Sequence, residues 1–150
     1  MKQLSGAASA DVAVAPERAY ALLSDVERYQ TWYPEVIRTV QVLERGSAGE
    51  VAFADVTLSA PGLPIGDIEA RMRVDRQAYR DVALVRVPDG PGDDERLAVR
   101  WSISSTGAGT RIALRLEAVL PLPRLVPLGS VGDRIAGGFM RAAVREISPG

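Results

Sequence analysis

VAVAPERAYALLSDVERYQTWYPEVIRTVQVL, residues 12 to 43, is the stretch on which the fold turns. A short alternating run (Val12, Val14) stops at Ala15-Pro16-Glu17. Pro16 suits the first helical position, where a missing N–H costs nothing, and Glu17 complements the positive end of the helix dipole. Ala19, Leu22, Leu23 and Val26 then fall on one helical face. Ser24-Asp25 reads as the end of one helix and the cap of the next. Trp32-Tyr33-Pro34 closes the unit, because a residue before proline is pushed toward extended backbone, and a strand follows. Strand, two short helices, Trp-x-Pro, strand is an order that opens a hollow fold. It points to a cavity before any catalytic group has been identified.

Beyond Pro34 the pattern is strand-like. Val36 to Arg45 and Glu50 to Ser59 are β-rich runs split by Gly46-Ser47-Ala48-Gly49, a hairpin signal. Ile68, Ala70, Met72 and Val74 alternate with Glu69, Arg71, Arg73 and Asp75, so one face is dry and the other wet. Arg80 to Val87 is a further strand, closed by the polar turn 88–94. Leu97, Val99, Trp101 and Ile103 alternate next, followed by Ile112, Leu114 and Leu116. Successive hairpins with one polar face describe a curved antiparallel sheet. Ser130 and Asp133 then resemble a helix-capping pair, with Asp in place of Glu. Val131, Ile135, Phe139, Ala142, Ala143 and Ile147 form one apolar stripe of a long C-terminal helix. With no repeat and no linker, residues 1–150 read as a single domain.

Composition narrows the chemistry. The 150 residues carry a net charge of −1, which argues against nucleic-acid binding. Of 18 basic residues only Lys2 is lysine. No apolar run approaches the ~20 residues of a membrane span, and the N-terminus has no apolar signal core. A cytoplasmic location is therefore expected. The sequence contains no histidine and no cysteine, so Ser-His-Asp and Cys-His sites and Cys/His zinc sites are impossible. No metal and no cofactor is expected, and a general base would have to be a carboxylate, a tyrosine or an unusually placed arginine.

This order of elements resembles the START-like superfamily (also called SRPBCC), in particular its small bacterial polyketide cyclase/dehydrase and lipid-transport branch. The resemblance spans roughly residues 5 to 148 and is most specific from Ala15 to Val36. There Pro16, Tyr20, Leu23, Asp25, Tyr29, Trp32 and Pro34 occupy the places of the family's opening motif. It implies an α+β helix-grip fold: a curved antiparallel sheet wrapped around a long C-terminal helix, with two short helices after the first strand. It also implies a deep apolar pocket between sheet and helix. Members include aromatase/cyclases and carriers of apolar molecules, so fold does not choose among functions.

The dry faces supply the pocket candidates. Met72, Val74, Leu97, Val99, Trp101, Leu114 and Leu116 come from the sheet; Ile135, Phe139 and Met140 come from the helix. Taken singly, each reads first as plain core; as a set, some must line whatever cavity survives. Trp32 and Tyr33 lie where the family's pocket mouth would be, either as groups that stack on a ligand ring or as a plug. Gly137-Gly138 in mid-helix either leaves room for a ligand or lets the helix approach the sheet.

Arg86 shares a face with Val82 and Leu84. The opposite phase, with Ala83, Val85 and Val87 inward and Arg86 in water, is the expectation adopted here. Asp55 and Thr57 carry the same ambiguity against Ala54, Val56 and Leu58. Arg71, Arg73, Arg100, Arg111 and Arg115 read as solvated outer-face charges. Two apolar, proline-rich loops, 61–66 with Leu63 and Ile65 and 120–128 with Leu122 and Leu125, form either a gate, a docking patch for a membrane surface or carrier protein, or hydrophobic plugs.

The expected function is binding of an apolar or aromatic small molecule: a lipid, an isoprenoid or a polyketide-like compound. The alternative is an aromatase/cyclase acting by enforced proximity, with Arg86, Asp55 and Tyr33 as catalytic candidates. A third reading is a protein-interaction module whose pocket is filled by side chains.

Overall fold

The computed structural model describes residues 1–123 and 125–148. Strand β1 (Lys2–Val12) leads into α1 (Pro16–Ser24), a 3-10 turn at Val26–Arg28 and α2 (Tyr29–Trp32). Six strands follow: β2 (Ile37–Arg45), β3 (Val51–Leu58), β4 (Ile68–Gln77), β5 (Asp81–Arg86), β6 (Arg96–Thr106) and β7 (Gly109–Leu120). Helix α3 (Val131–Ile147) follows them. The strands form one antiparallel sheet in the order β1-β7-β6-β5-β4-β3-β2. α1 and α2 carry the chain from one sheet edge to the other. The sheet is curved and α3 packs against it, which is the helix-grip arrangement.

The alternation seen at Val12 marks only the tail of β1. The strand begins at Lys2, and its less exposed positions are Leu4, Gly6, Ala8, Ala10 and Val12. Small residues carry little hydrophobic signal, and at Gly6 the residue is small because α3 crosses it. A Cβ on Gly6 would sit 2.1 Å from the Gly132 carbonyl oxygen, and one on Gly132 would sit 1.9 Å from that of Ser5. Only glycine permits such an approach.

Ser130 stands at the N-cap of α3 but makes no side-chain cap hydrogen bond. Asp133 turns outward instead and accepts from the Ala7 backbone N–H at 3.0 Å. It thereby pairs a donor on an edge strand. Asp25 likewise provides no side-chain cap for the 3-10 turn.

The two apolar loops fold inward at the end of the sheet that holds the start of α3. Leu63, Leu120, Leu122 and Val131 pack there as a second cluster. Burying each leucine contributes about 2 kcal/mol, which holds Leu63 and Leu122 against the end of the sheet. On the outer face, Arg71 pairs with Asp55 at 3.0 Å and Arg111 with Asp11 at 2.8 Å.

Candidate functional site

Residues 29, 32 and 33 stand at i, i+3 and i+4, so one short turn presents three aromatic rings to the same side. All three converge on Phe139 of α3. Tyr33 stacks on it with ring centroids 4.7 Å apart, Trp32 lies at 5.5 Å and Tyr29 meets it edge-on at 5.7 Å. Trp101 rises from β6 and meets the same ring edge-on at 5.1 Å. Five of the chain's aromatic side chains (two Trp, four Tyr and two Phe in all) thus fill the space between sheet and helix. Met72, Val74, Val99, Leu114 and Met140 belong to the same buried core, and Ile135, Leu97 and Leu116 pack against it half-buried. Tyr29 was legible as part of the family motif but not as a site residue; its spacing to Trp32 and Tyr33 is the signal that marks it.

This aromatic box holds a polar atom without a partner. The indole N–H of Trp32 is buried and meets no acceptor, whereas that of Trp101 lies toward the Tyr29 hydroxyl. The Tyr29 hydroxyl donates to the Leu23 carbonyl, and burial pushes its pKa upward, so the phenol is neutral. The Tyr33 hydroxyl donates to the Ile135 carbonyl at 3.1 Å. Burial, reinforced by the Glu35 carboxylate and opposed by Arg141, pushes Tyr33 up to about 12.

Gly138 explains how Tyr33 fits. A Cβ at Gly138 would lie 2.8 Å from the Tyr33 hydroxyl oxygen, so the glycine leaves a notch that the phenol occupies. Gly137 faces only Arg141, and the close approach to the sheet falls at Gly132. Of the two mid-helix glycines, Gly138 therefore serves a tyrosine rather than a backbone crossing.

The expectation that Arg86 points into water is overturned. Val82 and Leu84 are buried, and Arg86 stands across from buried Met72, so it lies on the core face. Its side chain is only 10% exposed. The residue ends its strand at the rim, where the guanidinium turns into the β5–β6 loop. Asp93 holds it at 2.8 Å, the Glu95 carbonyl at 2.9 Å, and the Glu95 and Asp89 carboxylates lie at 3.7 and 3.5 Å. That hydrogen bond, with the Asp89 backbone N–H, draws Asp93 down to about 2. The charge is neutralised in place.

Asp55 takes the outward phase and is held by Arg71. Of the three catalytic candidates only Tyr33 reaches the aromatic box. Arg76, which no motif singled out, continues the inward phase of Ala70, Met72 and Val74. It donates to the carbonyls of Val51 and Ser24, the latter at 2.8 Å, while its Nε is buried without a partner. Extending the β4 alternation by one step would have found it.

The loop residues divide. Leu63 and Leu122 are buried and Ile65 half-buried, whereas Leu125 is 92% exposed. No helix is long and apolar enough to cross a membrane among the described residues.

Residues 12–144 match the family model for polyketide cyclase/dehydrase and lipid transport. The fold is similar to that of a START superfamily protein from Mycobacterium smegmatis, with a TM-score of 0.70 and 20% identity over 95% of this chain and 96% of that one. It is also similar to the Zhui aromatase/cyclase from a Streptomyces species, with a TM-score of 0.72 and 19% identity over 97% and 94%. Major latex-like protein 151 from Panax ginseng aligns with a TM-score of 0.69 and 12% identity over 98% and 99%. No curated protein matches the sequence significantly.

Proposed function

The chain belongs to the polyketide cyclase/dehydrase and lipid-transport family, and on that footing we infer that it binds an apolar or aromatic small molecule between the sheet and α3. A lipid, an isoprenoid or a polyketide-like compound has suitable chemistry. The observation that carries this reading is the buried indole N–H of Trp32, which has no acceptor and lies beside the Phe139 ring. A buried donor without an acceptor costs about 1–3 kcal/mol. A mostly apolar ligand with a carbonyl or ether oxygen would supply that acceptor, while its body replaces ring-to-ring contacts.

Tyr33 is the side chain that must yield. Its hold consists of a stack and a single hydrogen bond, both of which a rotation of its χ1 releases. Cyclisation of a poly-β-keto chain asks for several converging polar groups. Arg86 is neutralised at the rim and Asp55 lies on the outer face, so the geometry favours binding over turnover.

Native mass spectrometry of freshly purified protein, followed by solvent extraction, tests the reading. A retained apolar adduct is the expected result. Uptake of an apolar naphthylamine dye at a single site, weakened by Trp101→Phe, is expected of protein freed of adduct. A clean mass together with no dye uptake would overturn the proposal in favour of a filled interior.

A further inference from the structure

On the side of α3 turned toward Tyr33, Arg134, Gly138, Arg141 and Arg145 follow at steps of four, three and four residues. They stand in one column about 16 Å long. The column borders a cleft of about 300 Å³ whose remaining lining includes Val36, Pro61, Ile135 and Ala142. Glu35 is the one carboxylate in that lining. None of the three guanidinium groups has a carboxylate within 4 Å among the described residues. Arg134 reaches only the Ser130 hydroxyl, at 3.4 Å.

Five arginines elsewhere are paired with a carboxylate, while Arg18, Arg38 and Arg76 donate to backbone carbonyls. Arg45 has Glu27, Arg71 has Asp55, Arg73 has Asp75, Arg86 has Asp93 and Arg111 has Asp11. Like charges stacked at i, i+4 repel, as at Arg141 and Arg145, so the column carries a positive potential that Glu35 offsets only in part. Guanidinium groups meet carboxylate and phosphate oxygens in bidentate pairs, which is the interaction this column leaves unused. Its middle member is Gly138, and the notch that glycine leaves is filled by the Tyr33 hydroxyl. Cleft and aromatic box therefore share a wall that one side chain closes.

We propose that this cleft seats the anionic head group of an amphiphile, a carboxylate or a phosphate monoester, whose apolar part passes Tyr33 into the aromatic box. The inference rests on the binding reading above and names the class of its ligand. An apolar molecule lacking the head group would use the box alone; an anion lacking the apolar part would use the cleft alone, where solvent screens it.

Three probes of one chain length separate these terms: dodecanoate, dodecyl phosphate and dodecanol, each added to the full chain at low ionic strength below its micellar concentration. Quenching of Trp32 and Trp101 fluorescence reports uptake. At least one anion is expected to bind about tenfold tighter than dodecanol, the size of a charge-assisted hydrogen bond. The stronger of the two anions identifies the head group as carboxylate or phosphate. The preference is expected to vanish in Arg141→Gln/Arg145→Gln and to shrink with salt, while dodecanol binding stays unchanged. Glu35→Gln, which removes the opposing charge, is expected to tighten anion binding. Equal affinity for all three probes, or a preference that survives the double substitution, would overturn the head-group site and leave the apolar pocket standing. Uptake of none of the three would overturn both.

Discussion

Against β1, helix α3 lies so close that not even an alanine methyl group would fit: Gly6 and Gly132 face each other's backbone at distances a Cβ cannot occupy. Asp133 then ties the helix to the Ala7 N–H of the same strand. On its other side the same helix stands off the chain on rings, with Phe139 against Tyr33 and the Tyr33 hydroxyl in the notch at Gly138. Both contacts use glycine, for opposite purposes. At Gly132 backbone meets backbone, and nothing can part without breaking the fold. At Gly138 backbone meets the tip of a side chain, which can leave by rotation while every helical hydrogen bond stays in place. The entry proposed for a ligand therefore lies on the Tyr33 side.

Gly132→Val is the heaviest blow to that comparison. The added methyl groups collide with the Ser5 carbonyl, and neither backbone can retreat without lifting α3 from β1. The expected loss exceeds about 4 kcal/mol, a fall in melting temperature on the order of 10 °C or more for a domain of this size. A variant that melts within ~2 °C of the parent would show that α3 is not clamped at this point.

Phe139→Ala strikes the other side. Removing the ring that four aromatic neighbours contact is expected to cost about 3 kcal/mol, and the fold is expected to survive. The emptied space is lined mainly by apolar groups, so it is expected to take up benzene or a similar probe. Heat-capacity calorimetry with and without the probe measures both effects. Collapse comparable to that of Gly132→Val would erase the distinction between the two sides.

That distinction was half legible in the sequence. The apolar stripe of α3 and the alternation of β4 follow from residue type at fixed spacing, and both stand in the structure. The length of β1 did not follow, because its inward positions Gly6, Ala8 and Ala10 are small, and at Gly6 the reason is a tertiary contact that no local pattern records. Arg86 shows a related blindness. Alternation ties its side to that of Val82 and Leu84, but a charge that reads as outward can occupy the core face when a loop carboxylate waits at the rim. The same holds for Asp133, whose partner is the edge strand rather than its own helix end. Pairings over long sequence distance decided each case, and single-segment periodicity does not contain them.

Gly138→Ala is the gentlest test and the most discriminating. Alanine favours the helix by about 1 kcal/mol over glycine. Against this, the new methyl carbon would sit 2.8 Å from the Tyr33 oxygen, and the ring is expected to leave its notch and its hydrogen bond to Ile135. A lost hydrogen bond costs about 1 kcal/mol, so net stability is expected to stay nearly level. Titration would report the displacement. In the parent, burial holds Tyr33 protonated up to about 12, whereas the unfolded chain ionises near 10. The buried phenol therefore contributes stability below pH 10, and that contribution is lost as pH rises from 10 toward 12. In Gly138→Ala the phenol would stand in water, so one tyrosinate absorbance step is expected to move down toward 10 and this part of the alkaline stability loss to disappear. Uptake of an apolar dye is expected to quicken in the same variant. An unmoved titration step would mean that Tyr33 makes room within its notch, and the ring contact would then be as fixed as the backbone contact at Gly132.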